Sequence, residues 1–122
     1  MKRTGWLMSM LMAFVAGAAP MAGTLSESEA RTQLKNGALL IDVRTTAEFA
    51  SKHLTNAINL PLDRFKTALP VRVPDKGRVL LLHCRSGNRS RTAMAEARSL
   101  GYTNVFNVGS YESAEKITTG PR

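Results

Sequence analysis

Cysteine and histidine are scarce in this sequence, and their scarcity excludes several kinds of site. The one cysteine, Cys84, cannot form an internal disulfide bond, so the fold must depend on its hydrophobic core. The two histidines, His53 and His83, do not combine with that cysteine in the ligand spacing of a zinc site. We therefore expect no metal centre and an unpaired thiol, which in an exported protein is either reactive or intermolecular.

Dense basic clusters are also missing, although the chain is basic overall. Lysine and arginine number 17 against 9 acidic residues, which gives a net charge of +8 at pH 7. A basic surface can attract nucleic acid, a membrane or small anions. The basic residues do not form a block interleaved with aromatics, which make up 6% of the chain. The composition therefore favours a small anionic substrate over nucleic acid, in a chain long enough for one compact domain.

Residues 1–22 are typical of a signal peptide. Two basic residues precede an apolar run at 6–18, which is shorter than the ~20 residues needed to span a bilayer. Small residues at its end fit an A-x-A cleavage site, so we expect cleavage near Ala18, or alternatively near Ala22. We predict a periplasmic protein whose residues 23–122 form a single domain without stable membrane association after cleavage. An uncleaved membrane anchor is the alternative.

Apolar runs alternate with helical patterns through the rest of the chain. Strands are predicted at 38–43, 57–60, 78–83 and 105–108. Helices are predicted at 26–35, 45–52, 62–68 and 89–100. Pro70 is expected to end the third helix, and the weaker signals after Ser110 predict one short helix followed by a loose end. This alternation predicts an α/β fold, with a parallel sheet of four or five strands and helices on both faces.

The strongest chemical signal directly follows the most hydrophobic strand. The run CRSGNRS, from Cys84 to Ser90, is a small polar turn containing Gly87 between a strand and a helix. Such a turn can aim successive backbone N–H groups inward as an anion cradle, and the helix that follows adds the positive end of its dipole. We expect both effects to lower the pKa of Cys84 below its ordinary value of about 8.5. Cys84 is thus the predicted nucleophile, with a buried, inert core thiol as the alternative.

The chain resembles the rhodanese-like domain family in two motifs and a weaker third. The first motif is the Cys84–Ser90 loop. The second consists of Asp42-Val43-Arg44, Glu48-Phe49, His53-Leu54 and Ala57-Ile58-Asn59-Leu60-Pro61. The third is Gly101-Tyr102-Thr103-Asn104-Val105 ahead of Asn107-Val108-Gly109. Together with the N-terminal segment and the short length, these motifs are most similar to the small periplasmic single-domain rhodaneses of the phage-shock type.

The resemblance implies a sulfurtransferase that carries sulfur as a persulfide on Cys84. The sulfane sulfur would come from thiosulfate or a similar small anionic donor and pass to a thiophilic acceptor, cyanide or a thiol, without a metal or organic cofactor. Backbone amides of the loop would hold the outer sulfur or the oxyanion, from the residues Arg85, Ser86, Gly87, Asn88, Arg89 and Ser90. The charges of Arg85 and Arg89 would steer the anion. The sequence leaves the oligomeric state open.

Four residues outside the loop are candidates for structural or supporting roles. Asp42 is interpreted as the partner of an arginine or a backbone amide rather than as a base. Arg44 can either line the substrate mouth or form an ion pair at the strand end. His53 is interpreted as a packing and hydrogen-bonding residue near a helix end. The side chain of His83 should point away from the interior of the loop, because successive strand residues face opposite sides, although it can still tune the thiol.

One departure from the family pattern concerns the residues after the last strand. Gly109-Ser110-Tyr111 stands where many members have two glycines and a tryptophan. We therefore expect one wall of the pocket to differ from that of other members.

Two other functions are compatible with the cysteine loop. One is a cysteine-dependent phosphatase or arsenate reductase, whose loops place five residues between cysteine and arginine. Only four residues separate Cys84 from Arg89, and the shorter cradle suits one sulfur atom better than a tetrahedral oxyanion. The other is a non-catalytic persulfide carrier or binding module, which turnover with a small acceptor would distinguish from an enzyme.

Overall fold

The polypeptide alternates helices and strands from end to end of the described region. A computed structural model describes residues 24–120, so the predicted signal peptide at 1–22 lies outside the described residues. In chain order the elements are α1 (Glu27–Lys35), β1 (Leu39–Asp42), α2 (Thr46–Ser51), β2 (Ile58–Asn59), a 3-10 turn (Leu62–Arg64), α3 (Phe65–Arg72), β3 (Leu80–His83), α4 (Asn88–Ser99), β4 (Val105–Gly109) and α5 (Tyr111–Thr119). None of the helices within 24–120 combines the length and the apolar character needed to cross a membrane.

The strands form one parallel sheet in the order β2-β1-β3-β4. The predicted α/β fold is therefore confirmed, with four strands in the described residues. Asp42 at the end of β1 pairs with Asn59 of β2 on one side and with His83 of β3 on the other. A register shift just before His83 places Gly109 of β4 beside it. These four strand ends lie in one row, at the edge of the sheet where the Cys84 loop begins.

Each face of the sheet packs against its own layer of helices, because strand residues alternate between the two faces. One hydrophobic cluster joins the sheet to α3 and α4 and contains Ile41, Val43, Leu60, Phe65, Leu69, Val73, Leu80, Leu82, Cys84, Ala93, Ala97, Tyr102 and Val105. The other joins it to α1 and α5 and contains Ala30, Leu40, Leu54, Leu81, Phe106, Ala114 and Ile117. Cys84 therefore lies on the α4 side of the sheet.

Capping boxes begin the first two helices, at the predicted starts Ser26 and Thr45. The Ser26 hydroxyl accepts a hydrogen bond from the Glu29 amide at 3.1 Å, and the Glu29 carboxylate accepts one from the Ser26 amide at 2.7 Å. Thr45 and Glu48 exchange the equivalent bonds at 3.1 and 3.0 Å. These bonds satisfy amides that would otherwise lack partners at a helix start.

The prediction that Pro70 ends the third helix is wrong. The segment begins as a 3-10 turn, and α3 then runs through Pro70 to Arg72. A proline inside a helix costs about 3 kcal/mol, because it lacks an N–H and crowds the preceding turn. The side chains of Phe65 and Leu69 in α3 are fully buried, and burial of each contributes about 1.5–3 kcal/mol to the stability of the fold. Tertiary burial thus outweighs the local preference against helix.

The short helix predicted after Ser110 is confirmed. It is the nine-residue helix α5. The Ser110 hydroxyl accepts a hydrogen bond from the Ser113 amide at 3.0 Å and caps the helix. Ala114 and Ile117, three residues apart, bury one face of α5 in the cluster that contains Ala30 of α1.

Candidate active site

Two glycines in left-handed backbone conformations bring the end of β4 against the cysteine loop. Gly87 precedes α4 with φ of 102°, and Gly109 ends β4 with φ of 91°. A Cβ atom on Gly87 would lie 3.5 Å from the Gly109 Cα atom, so the two backbones are in contact. The Cys84 amide donates to the Gly109 carbonyl at 3.1 Å, which fixes the start of the loop. The loop therefore favours glycine at position 87 because of its positive φ, while a Cβ atom there would make only an ordinary van der Waals contact with β4.

The Cys84 sulfur lies at the base of the loop, where several backbone amides converge. The residue is 1% exposed, and its Sγ accepts a hydrogen bond from the Gly87 amide at 3.0 Å. Burial by itself raises the pKa of the thiol. Hydrogen bonds to the thiolate from the Ser90 hydroxyl and from the amides of Ser90, Gly87 and Ser86 outweigh this effect, so the pKa of Cys84 lies below its ordinary value. The arrangement favours a nucleophilic thiolate.

The loop residues divide between those that surround the sulfur and those that face outward. Ser86, Gly87 and Ser90 supply amides to the sulfur, as described above. The side chains of Arg85 and Asn88 are exposed. The Asn88 side-chain oxygen accepts a hydrogen bond from Arg91 at 3.3 Å, so it is directed along the helix surface.

Arg89 is held by a carboxylate rather than free at the rim. Its Nη1 and Nη2 atoms donate to the two carboxylate oxygens of Glu48 at 2.7 and 3.1 Å. This hydrogen bonding lowers the pKa of Glu48 to about 2 and raises that of Arg89. Glu48 therefore does more than cap α2. It connects α2 to the first turn of α4, beside the cysteine loop.

Asp42 and Arg44 form an ion pair at the end of β1. The Arg44 Nη2 atom lies 2.7 Å from Asp42 Oδ2, and the Arg44 amide and Nε atom both donate to Asp42 Oδ1. Arg44 also donates to the Lys52 carbonyl at 2.7 Å. The hydrogen bond to Asp42 raises the pKa of Arg44. Of the two alternatives left by the sequence, the structure places Arg44 in the strand-end ion pair.

His83 lies next to Cys84 in sequence but faces the opposite side of the sheet. Its Nδ1 atom is 3.1 Å from the Cys84 carbonyl, which can only accept, so Nδ1 carries the proton. Its Nε2 atom has no hydrogen-bond partner and lies 3.6 Å from Asp42 Oδ2. Burial lowers the pKa of His83 and favours the neutral ring. His83 therefore contacts the cysteine through the backbone rather than through the sulfur.

Comparison with known proteins agrees with this geometry. The family model described as Rhodanese-like domain matches residues 26–116. The chain belongs to the rhodanese-like domain family.

Relatives of this rhodanese-like domain include sulfurtransferases. It is 36% identical over 69 residues to the thiosulfate sulfurtransferase PspE of Escherichia coli (strain K12), an alignment that covers 57% of this chain and 66% of that protein. A sulfurtransferase of Allochromatium vinosum is 38% identical over 72 residues, with 57% and 64% covered. The structure of the human single-domain sulfurtransferase TSTD1 matches with a TM-score of 0.68 and 33% identity, covering 77% of this chain and 96% of that one. The chain spans between 18% and 40% of three longer curated relatives.

In this rhodanese-like domain, Tyr111 stands where many family members have a tryptophan. Its side chain packs over the Asp42–Arg44 ion pair. Its ring centroid lies 4.9 Å from the Arg44 guanidinium carbon and 5.1 Å from the Lys52 ammonium. The rings of Tyr111 and His83 also pack nearly perpendicular to each other, with centroids 5.8 Å apart. The Tyr111 amide donates to the Arg85 carbonyl at 3.3 Å. Tyr111 thus braces the loop through its backbone, while its side chain covers the sheet face opposite Cys84.

His53 lies beyond the end of α2. Its ring stacks on Phe49 with centroids 3.9 Å apart, and its Nδ1 atom is 2.8 Å from the Phe49 carbonyl. These contacts are the packing and hydrogen bonding expected of it. Within residues 24–120, no three histidine, cysteine, aspartate or glutamate side chains are grouped so that they could hold a metal ion.

The sequence prediction of the site omitted Asn107, whose side chain contacts the loop. The Asn107 side-chain amide donates to the Gly87 carbonyl at 3.2 Å, and its oxygen accepts from the Ser90 hydroxyl at 2.7 Å. Its position in the Asn107-Val108-Gly109 motif was the available signal. The motif lies 17 residues after Ser90, and only the register of β4 brings the two together.

Proposed function

We propose that this protein transfers a sulfane sulfur from thiosulfate or a similar anionic donor to a thiophilic acceptor, cyanide or a thiol, through a persulfide on Cys84. The observation that carries the proposal is the convergence of the Ser86, Gly87 and Ser90 amides on the Cys84 sulfur. Donors placed in this way stabilise negative charge on a sulfur atom both before and after transfer. The sulfurtransferase relatives support the same chemistry.

In the first half-reaction, the Cys84 thiolate attacks the outer sulfur of thiosulfate. The new bond joins Sγ to that sulfur, and the sulfur–sulfur bond of thiosulfate breaks. Sulfite leaves with the bonding electron pair, and the persulfide retains one negative charge. The hydrogen bonds that lower the pKa of Cys84 favour the thiolate that makes this attack. The exposed guanidinium of Arg85 attracts the dianion from solution.

In the second half-reaction, the acceptor attacks the outer sulfur of the persulfide. With cyanide, a carbon–sulfur bond forms, the persulfide bond breaks, and its electron pair returns to Sγ. Thiocyanate leaves and the Cys84 thiolate is restored. No metal or organic cofactor takes part, and the partners are the small donor and acceptor rather than nucleic acid.

Replacing the nucleophile tests the proposal. We expect the purified wild-type protein to gain the mass of one sulfur atom with thiosulfate and to lose it with cyanide. Cys84→Ser should show neither the adduct nor turnover, because an alcohol is a much weaker nucleophile and sulfur carrier. Cys84 is the only cysteine, so a thiol adduct needs no further mapping. Cyanide-dependent turnover retained in Cys84→Ser would refute the assignment.

The same measurements separate the two alternatives. A persulfide carrier would gain the sulfur atom but would not turn over with small acceptors. A cysteine-dependent phosphatase or arsenate reductase would hydrolyse a phosphate ester or reduce arsenate and would form no sulfur adduct. The interval of four residues between Cys84 and Arg89 favours the sulfur chemistry.

We also propose that the chain is exported to the periplasm and cleaved within its first 22 residues. The basic start and the short apolar run with small residues at its end support this location. N-terminal sequencing of the protein from a periplasmic fraction should begin near Ala19, or after Ala22. An intact Met1 on a membrane-bound product would instead establish an anchor.

A further inference from the structure

The Ser90 hydroxyl has one proton and three acceptors within reach. Its oxygen lies 2.7 Å from Asn107 Oδ1, 3.2 Å from the Gly87 carbonyl oxygen and 3.5 Å from Cys84 Sγ. A hydroxyl can donate to only one of them at a time. The shortest contact is to Asn107, so this acceptor holds the proton as long as the sulfur is uncharged. Ser90 is fully buried, and water therefore does not compete for the proton.

The orientation of the Asn107 amide is fixed from two directions. Its oxygen accepts from the Gly109 amide at 2.9 Å as well as from Ser90. Its nitrogen donates to the Gly87 carbonyl at 3.2 Å. Turning the amide over would place two donors together at Gly109 and two acceptors together at Gly87. Asn107 therefore presents an oxygen, not an N–H, to the Ser90 hydroxyl.

We propose that Asn107 is a positioning residue that holds the Ser90 proton while the Cys84 sulfur is uncharged and yields it to Sγ when Cys84 is a thiolate. In the thiol state the Ser90 oxygen turns its lone pairs towards Sγ and accepts from the S–H group. In the thiolate state the same lone pairs would face an anion, so the hydroxyl rotates and donates to it. Asn107 and the thiolate thus compete for one proton.

This competition follows the charge of the inner sulfur through a transfer cycle. After sulfur transfer, the negative charge moves to the outer sulfur and Sγ becomes neutral. The Ser90 proton then returns to Asn107 and no longer stabilises the inner sulfur, while the backbone amides remain in place. The persulfide part of this inference rests on the proposed function. The thiol–thiolate part requires only the geometry of the described residues.

Charged groups around the loop can also shift the titration of Cys84. On the side of the loop they are the exposed Arg85 and Arg89, which is paired with Glu48. On the far face of the sheet they are His83 and the Asp42–Arg44 pair. Substitutions at Ser90 and Asn107 leave all of these groups unchanged. A double-mutant cycle therefore cancels their contributions and isolates the hydroxyl.

The test measures the alkylation rate of Cys84 against pH in the wild type, Ser90→Ala, Asn107→Leu and the double variant. Ser90→Ala should move the midpoint to higher pH, because the thiolate loses a donor. Asn107→Leu should move it to lower pH, because the Ser90 proton is released to the sulfur. In the Ser90→Ala background, Asn107→Leu should leave the midpoint where Ser90→Ala alone put it. A purely structural role for Asn107 would shift the midpoint equally in both backgrounds.

Either of two results would overturn the proposal. One is an unchanged or lowered midpoint in Ser90→Ala, a small substitution inside a helix that is expected to fold. The other is an effect of Asn107→Leu that persists without the Ser90 hydroxyl. Asn107→Ala takes the place of Asn107→Leu if the leucine variant does not fold.

Thiosulfate turnover in the same four proteins separates this inference from the proposed function. Absence of a sulfur adduct in the wild type would refute sulfur transfer, yet it would leave the alkylation cycle fully interpretable. Normal turnover combined with a failed cycle would refute the role of Asn107 alone.

Discussion

Arg89 and Glu48 form a two-pronged ion pair that joins the first turns of α4 and α2. The two contacts are 2.7 and 3.1 Å long, between residues 41 positions apart in the sequence. Because Arg89 lies near the end of the Cys84–Ser90 loop, in the first turn of α4, the pair holds the end of the loop from outside. The charge of Arg89 is offset by this carboxylate, which leaves Arg85 as the exposed cation of the loop.

The ion pair should make stability depend on pH in the acid range. The pKa of Glu48 is about 2 in the folded protein, below the value of about 4.3 for an unfolded chain. Its contribution is therefore complete above about pH 4.3 and is lost as the pH falls towards 2. The side chains of Arg89 and Glu48 are 34% and 30% exposed, so solvent screening limits the contribution to about 1 kcal/mol or less.

Glu48→Gln tests this dependence, because glutamine keeps the capping oxygen for Thr45 but removes the charge. We expect a lower free energy of unfolding than in the wild type at pH 7, measured by denaturant titration. The difference should shrink steadily between about pH 4.3 and 2. A difference that does not change with pH would mean that the charge of Glu48 contributes nothing.

The two loop arginines should differ in their kinetic effects. Arg85→Ala should raise KM for thiosulfate by about threefold, which corresponds to ~0.7 kcal/mol, with little change in kcat. Arg89→Ala should lower kcat as well, because it releases the start of α4 from Glu48. In the wild type, kcat/KM should fall as ionic strength rises. A flat salt profile together with an unchanged KM in Arg85→Ala would show that the amides capture the anion without help.

Gly87→Ala should disturb the loop through its backbone. At φ of 102° an alanine costs about 1–2 kcal/mol of stability. If the backbone moves to relieve this strain, the amide of residue 87 that donates to Cys84 moves with it. We expect lower stability, a higher alkylation midpoint for Cys84 and reduced turnover.

Gly37→Ala is the matched control. Gly37 has φ of 103°, and a Cβ atom there would meet nothing within 4 Å. It should lose similar stability while its alkylation midpoint and turnover stay as in the wild type. Equal functional losses in both variants would mean that the loop conformation at Gly87 has no specific role.

Asp42→Ala should reduce stability without reducing the chemistry. It leaves the buried guanidinium of Arg44 without its carboxylate, which typically costs about 3–5 kcal/mol. The pair lies on the sheet face opposite Cys84, so kcat of the folded protein should stay within about twofold of the wild type, roughly 0.4 kcal/mol in barrier height. Asp63→Ala, at an exposed acidic residue, serves as the control and should change stability by less than about 0.5 kcal/mol. A loss of kcat greater than about tenfold in folded Asp42→Ala would place Asp42 in the reaction.

Features that depend on neighbouring residues are predictable from local patterns. The capping boxes at Ser26 and Thr45 need only residues three positions apart, and both helices begin where those patterns predict. The apolar runs alternating with helices predicted the parallel sheet, because each strand is buried on both faces. The Cys84 loop was visible as a polar, glycine-containing turn between a strand and a helix.

Which distant residues meet depends on how the helices and strands pack. The local preference of proline predicted that a helix ends at Pro70. Burial of the surrounding side chains instead extends α3 to Arg72. Helix packing brings Glu48 to Arg89, and strand register brings Asn107 to Ser90. Local sequence patterns do not encode either pairing. Cys84 could thus be proposed as the nucleophile from a short motif. The side chains that hold its loop could not be predicted, because they come from separate elements that the folded sheet brings together.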